Sequence, residues 1–271
     1  MRISWDDTGN RLYETGTKNG VLFVKQTKTE GTWYKNGVPW NGLTAVSESP
    51  SGAEETALYA DDQKYLSLRS NEEFGATVEA YTYPDEWAVC DGSYEYNDMG
   101  VYVGQQTRRG FGMCYRTTVG NDVEGNDYNY KLHIIYDAMA SPSEKSYSTV
   151  NDSPEAITFS WTVTTTPIKM VLPDGTALKN SATIIIDALK LGATKMAAIE
   201  ALVYGTDVYT EYTGDATNPK DAGLYEKVGT TDTYVLTQDT TLGVDKTYYQ
   251  NTGNDPVLPT PAQIFAIVAG Q

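Results

Sequence analysis

From Ile157 to Thr164, apolar and hydroxyl-bearing residues alternate without a break. Ile157, Phe159, Trp161 and Val163 fall on one side, and Thr158, Ser160, Thr162 and Thr164 on the other. A period of two sends successive side chains to opposite faces of a sheet, so this run predicts a strand with one face in the core. Shorter apolar or β-branched runs predict strands at Val21–Val24, Tyr65–Arg69, Ala76–Tyr83, Gly112–Val119, Lys131–Tyr136 and Thr183–Ile186. Turn-prone residues separate two of these pairs: Asn71–Gly75 in one, and the acidic, Gly/Asn-rich Gly120–Asn129 in the other. Trp33–Trp40 predicts a hairpin, because Asn36-Gly37 supplies the positive φ angles of a two-residue turn. Pro39 lacks a ladder N–H, which puts that arm at a sheet edge. Residues 44–63, rich in Ser, Ala, Glu and Asp around Pro50 and Gly52, predict a long loop suited to contact with a neighbour.

Helical spacing occurs twice. Met196, Ile199, Leu202 and Val203 form one apolar stripe, with Thr194 as the expected cap, Gly205 as the stop and Asp187–Leu191 as a lead-in. Thr260-Pro261-Ala262 predicts a capped start with Pro at the first helical position, followed by Ile264, Phe265, Ile267 and Val268. Residues 206–253 differ in texture, being rich in Thr, Asp, Gly and Tyr. Short β-like pieces recur there at Leu224–Val228, Thr233–Leu236 and Lys246–Tyr249. A unit of that size is marginal alone and is expected to lean on the rest. The predicted fold is mainly β: a β-sandwich or barrel with one flanking helix over residues 1–205, completed by 254–271, and a small β-rich surface insert at 206–253.

The chain has 271 residues, 40% hydrophobic and 21% charged, which suffices for a core. Tyrosine outnumbers phenylalanine 21 to 5, a bias suited to half-buried strand faces and subunit interfaces. The net charge is −16, with 20 Lys and Arg against 36 acids and no basic run. Such a chain is poorly equipped to grip nucleic acid phosphates. Met1–Asp7 is polar with no apolar leader core, and no run approaches the ~18 apolar residues of a membrane span.

Candidate chemistry is sparse. Cys90 and Cys114 lie 24 positions apart and form no CxxC, so they read as thiols, with a disulfide left open. No phosphate loop, dinucleotide fingerprint, HExxH or GxSxG occurs. The one histidine, His133, lies opposite Leu132 and Ile134 on its strand and reads as a satisfied or exposed strand residue. Glu72, Glu73, Glu79, Asp85 and Glu86 cluster along the chain, so a glycosidase-like carboxylate pair is conceivable. Gly120–Asp127 has calcium-ligand chemistry without the EF-hand order, and a solvated turn fits it better. No cofactor, metal or catalytic residue is expected.

Several runs resemble the major tail proteins of long-tailed, non-contractile bacteriophages (siphophages). They are Ile3–Gly9, Arg11–Gly16, Gly20–Leu22, Gly37–Thr44, Glu48–Glu54, Glu73–Pro84, Pro142–Lys145, Asn151–Ala156, Leu202–Thr206 and Pro256–Pro259. The likeness covers almost all of 1–205 and resumes near 254; the block at 206–253 departs from it. What the resemblance implies is a tube-forming β-sandwich with a flanking helix, six copies closing into a ring. Rings would stack around a tape measure protein, end at a tail terminator protein, and later pass DNA without specific binding. The location would be the virion tail tube, assembled in the host cytoplasm, with no membrane. If each subunit gives four strands to the inner wall, about 24 strands ~4.8 Å apart and tilted ~40° make a wall roughly 48 Å across. After side chains, that leaves room for a duplex roughly 20 Å wide.

Under that reading the loop 44–63 is the inter-ring contact, with Ser47, Glu48, Pro50, Glu54, Glu55, Asp61 and Asp62 as candidates. The 1–20 segment is a reaching arm, and Glu72, Glu73 and Glu79 are candidate inner-sheet acids. The alternatives are a carbohydrate-binding β-module of a phage tail or cell surface, argued from aromatics and acids, and a glycoside hydrolase.

Overall fold

The computed structural model describes residues 3–26, 34–97, 99–147, 149, 155–214, 217–229, 231–241, 243 and 246–270. The protein is mainly β and its strand pairings are antiparallel. In chain order the body strands begin with β1 (Tyr13–Val24), β2 (Val38–Trp40) and β3 (Leu43–Glu48). Then come β4 (Ser51–Gly52), β5 (Glu55–Ala60), β6 (Gln63–Arg69), β7 (Glu72–Glu73) and β8 (Gly75–Ala80). After a short 3-10 turn at Asp85–Val89 follow β9 (Tyr94–Glu95), β10 (Tyr102–Val103), β11 (Phe111–Asn121), β12 (Gly125–Ala140), β13 (Phe159–Thr165) and β14 (Thr183–Asp187). Helices α1 (Ala188–Leu191) and α2 (Ala193–Tyr204) precede β15 (Tyr209–Glu211), β16 (Tyr225–Lys227), β17 (Tyr234–Leu236) and β18 (Tyr248–Asn251). Helix α3 (Pro261–Ala269) ends the described chain.

The main sheet runs β2-β1-β11-β12-β13-β8-β3, with β14 also paired to β12. Its end strands, β2 and β3, are joined only by Asn41-Gly42, so the sheet has to curl until its two ends meet. Gly42 makes this turn at φ 73°, and an added Cβ would sit 2.8 Å from the Thr82 side chain. Inside the curl lie Trp40, Trp87, Trp161, Phe111, Leu22, Met113 and Ile135. Trp87 makes the closest ring contacts, 4.7 Å from Trp40, 4.9 Å from Phe111 and 5.3 Å from Trp161. The alternate residues of the same strands point the other way. Val21, Phe23, Cys114, Leu132, Ile134 and Tyr136 pack against Met196, Ile199, Val203 and Ile264 of α2 and α3. Residues 20–23 of β1, 111–115 of β11 and 132–136 of β12 are thus covered on both faces, which explains why these stretches do not alternate between apolar and polar.

The strand expected at Ile157–Thr164 is β13, with Trp161 and Val163 buried and Thr162 and Thr164 exposed. The capped start at Thr260 is present, with a full capping box to Gln263 and Pro261 at the first turn. Other expectations need correction. Helix α2 is capped at Gly192 (φ 89°) and not at Thr194, which lies inside the helix, because Asp187 already caps the preceding turn through the Lys190 N–H. The hairpin expected at Trp33–Trp40 does not form within the described residues. Lys35 bridges to Val257 and β2 pairs with β1, so Asn36-Gly37 is a corner between layers. Gly37 is needed there because a Cβ would stand 2.4 Å from the Phe23 ring. Trp33 itself lies outside the described residues. The turn expected at Gly120–Asn129 shrinks to residues 122–124, since β12 resumes at Gly125.

The largest correction concerns 44–63. It is not a loop: β3, β4 and β5 descend one side of a single long hairpin, and β6, β7 and β8 return along the other. The register runs from Leu43 opposite Ala80, through Ser51 opposite Glu73, to Ala60 opposite Gln63. The tip is Asp61-Asp62, both at positive φ (50° and 58°), the geometry of a primed two-residue turn. The strands expected at Tyr65–Arg69 and Ala76–Tyr83, on either side of Asn71–Gly75, are β6 and β8 and follow one another on the returning side.

Residues 206–253 form their own four-stranded sheet, β15-β18-β16-β17. Leu224, Thr237 and Tyr248 are buried within it. Its two ends are adjacent: the Thr206 N–H donates to the Asn254 carbonyl, and the Asn254 N–H donates to the Thr206 hydroxyl, each across 3.0 Å.

Candidate assembly surface

Beyond Glu48 the hairpin leaves the body, and nearly every residue from Ser49 to Glu73 is exposed. We call this part the arm. The twelve steps of chain from Glu48 to Ala60 span at most roughly 40 Å at ~3.3 Å per residue. Its register separates two faces. Leu58 opposite Leu66 and Thr56 opposite Leu68 make an apolar face, while Glu55, Ser67 and Arg69 lie on the other. On the polar face Glu55 takes the Lys64 ammonium, the Ser67 hydroxyl at 2.6 Å and Arg69 at 3.5 Å. These contacts, Lys64 foremost, hold its carboxyl below the usual range. Leu58, Leu66, Leu68, Tyr59 and Tyr65 are all exposed. A two-stranded ribbon with a bare apolar face is marginal in water by itself.

The candidate residues distribute along this arm. Ser47 and Glu48 are its root on β3, Pro50 and Glu54 flank β4, Glu55 opens β5, and Asp61 and Asp62 are the tip. Glu72 and Glu73 belong to β7, on the arm, whereas Glu79 is in β8 of the body, facing outward beside Ser160. Sequence reading missed Leu58, Leu66 and Leu68. The alternation Thr56, Leu58 and then Leu66, Leu68 about Asp61-Asp62 is the signal that could have found them.

Glu73 and Glu79 do not form a carboxylate pair. Glu73 and Glu79 are six strand residues apart along the returning side, roughly 20 Å at ~3.3 Å per residue. Glycosidase carboxyls stand about 5–9.5 Å apart. The side-chain oxygens of Asn121 and Asp122, within Gly120–Asp127, are engaged in structure. Asn121 Oδ1 accepts the Val123 and Glu124 N–H groups, and Asp122 accepts the Gly9 N–H and pairs with Arg11. These contacts tie down residues 3–12. The expected 1–20 arm therefore shortens, since Tyr13 onward is β1 of the main sheet.

The main sheet also has open edges. On β1 the stretch Tyr13–Asn19 pairs only with β11, and on β12 the stretch Gly125–Tyr130 pairs only with β11, among the described residues. Bulges at Gly16 (φ 68°) and Asn19 (φ 54°) twist the β1 edge. Two clefts, of about 550 and 570 Å³, share Tyr128, Asn129 and Leu189 beside the β12 edge.

At the arm root, Tyr115 donates its hydroxyl to Glu48 at 3.0 Å. Burial, and then Glu48, push the Tyr115 phenol upward. His133 stacks on the Tyr115 ring at 4.6 Å and 10°. It is buried rather than exposed, and only half satisfied. Both cysteines are free and buried, and burial raises the Cys90 thiol to about 12. Among the described residues no group of His, Cys, Asp and Glu is placed to hold a metal, and no helix is long and apolar enough to cross a membrane. No protein-family model matches the chain, and no curated protein is significantly similar to it.

Proposed function

We propose that the protein is a self-assembling structural subunit of the tail tube of a long-tailed, non-contractile bacteriophage, with a β-sandwich-like body that closes into stacked rings. The observation that carries this reading is the arm. Its strands could reach up to about 40 Å by strand rise, and it leaves Leu58, Leu66 and Leu68 exposed among the described residues. A neighbouring copy is the natural cover, and the arm becomes the contact between successive rings. The open edges of β1 and β12 support lateral joining, because unpaired ladder groups are satisfied when sheets continue from copy to copy. Tape measure and terminator proteins would be the further partners, and DNA the cargo. A net charge of −16 suits a conduit that does not hold phosphates.

The carbohydrate-binding reading draws on the aromatics and acids of the chain, among them Tyr209, Tyr225, Tyr234 and Tyr249 in the insert. Their rings cover one another instead: Tyr209 stacks on Tyr234 at 4.2 Å and 12°, and Tyr225 and Tyr249 pack edgewise at 5.0 and 4.9 Å. These four rings therefore offer few free faces to a sugar, whereas Trp5, Tyr59 and Tyr65 are exposed elsewhere. The separation of Glu73 and Glu79 likewise disfavours a hydrolase.

The test is negative-stain microscopy of concentrated protein beside a triple variant, L58S/L66S/L68S, checked for folding by circular dichroism. The wild type is expected to give rings or tubes and the variant folded monomers. Normal tubes from the variant would remove the arm from the reading. A wild type that stays monomeric, with saturable glycan binding, would overturn it.

A further inference from the structure

The root of the arm contains a buried polar atom with an unmet need. His133 is 8% exposed, and its Nδ1 finds no hydrogen-bond partner among the described residues. Its Nε2 lies 2.9 Å from the Thr117 hydroxyl. The carboxylate beside Nδ1 is that of Glu48, whose Oε1 lies 3.6 Å away, too long for a hydrogen bond, and accepts the Tyr115 hydroxyl. Glu48 is also the residue at which β3 ends and the arm begins.

We propose that His133 is an acid-released catch on the root of the arm: when the imidazole takes up a proton, the seating of Glu48 over Tyr115 and His133 loosens and the arm opens from the body. The inference concerns the isolated subunit and holds whatever the subunit assembles into.

Every element around the ring contributes to the balance. β11 supplies Tyr115 and Thr117, β3 supplies Glu48, and β1 supplies Glu14. β12 supplies Lys131, which is paired to Glu14, and β14 brings only Ile185 opposite the histidine. In place, a charged ring would carry a second N–H into a site where the ring itself is buried. Burial opposes that charge most, Glu48 and Glu14 favour it, and Lys131 opposes it, so the ring stays below the ordinary histidine range. Peeling the end of β3 away admits water and removes the burial. A group that binds its proton more tightly in the opened form drives the equilibrium towards that form as acid is added. Neutral conditions therefore hold the root shut and mild acid releases it.

The chain has one histidine, so its imidazole resonance needs no assignment. Hydrogen exchange, corrected for the intrinsic pH effect, should be followed over residues 43–52 and 72–80 between about pH 7.5 and pH 5. Exchange in the root of the wild type is expected to rise by roughly tenfold for each pH step separating titration of the ring in the closed and opened forms, with residues 132–140 unchanged. His133→Gln should lose the response, and Glu48→Gln should enlarge it, because the ring then loses its nearest favourable charge. In parallel, the imidazole of the wild type should titrate below the ordinary histidine value. A midpoint at or above that value, or an acid response that persists in His133→Gln, overturns the proposal. The titration needs no substitution, so the proposal remains testable if the variants fail to fold.

Discussion

The guanidinium of Arg116 lies over the ring of Tyr130, 3.5 Å from its centroid, and Glu200 holds both, 3.3 Å from Arg116 Nη1 and 3.0 Å from the Tyr130 hydroxyl. Arg116 and Tyr130 belong to the sheet and Glu200 to α2, so this polar junction sits at the margin of the helix–sheet core. Its partners are about four-fifths buried, with side-chain exposures of 19% and 24% for Arg116 and Glu200. Glu200→Leu leaves a mostly buried cation unpaired and should lower stability by about 2–3 kcal/mol. The double variant with Arg116→Met should recover part of that loss. Urea denaturation of the four proteins forms the cycle, and strict additivity would show that the pair is not coupled.

The core inside the curl should respond differently from the arm. Trp161→Ala empties a fully buried ring site and is expected to cost about 3–5 kcal/mol. Leu66→Ser on the arm should change the stability of the isolated subunit by less than ~0.5 kcal/mol. Thermal unfolding of both variants as monomers checks the contrast; an equal loss would mean that the arm is packed in the free subunit.

The thiols give a pH prediction. Burial raises Cys90 to about 12 and raises Cys114 as well, above an ordinary value of 9.0. The unfolded chain therefore releases these protons first. The stability they contribute is full below pH 9.0 and is lost as pH rises above it towards the folded values. Native protein at about pH 8 should react with a thiol reagent only at the rate of global opening. Fast labelling of either cysteine would contradict their burial.

At the C-terminal helix, Thr260 and Gln263 cap each other reciprocally. Thr260→Ala should destabilise the protein by about 1 kcal/mol, and amide exchange should rise first in residues 261–264. No change in either measure would mean that α3 is held by Ile264 and Leu258 alone.

Much of the body was legible because its physics is local. Ile157–Val163 alternates, and Thr260-Pro261 caps, whatever the rest of the chain does. The outgoing side of the arm was not legible, because residues 47–55 are rich in Ser and Glu and the tip is Asp-Asp, without the glycine that usually marks a tight turn. Such a ribbon reads as a loop until the pairing of Ser51 with Glu73 shows otherwise. The cap of α2 was misplaced because Gly192 works through its positive φ and not through a side chain. The catch at His133 was invisible in sequence, since Glu48 and Tyr115 stand 85 and 18 positions from it and meet it only when the sheet curls.

The adjacency of Thr206 and Asn254 has a consequence for how such a chain changes over time. Two bonds staple the stem of the 206–253 unit, so the body meets the same pair of chain ends whatever is spliced between them. Joining Thr206 directly to Asn254 should leave the body folded, with its melting temperature within a few degrees of the parent (about 4–8 °C would already signal ~1 kcal/mol). The position is thus a cassette port: foreign modules could be grafted, exchanged or discarded there while the scaffold beneath keeps its shape.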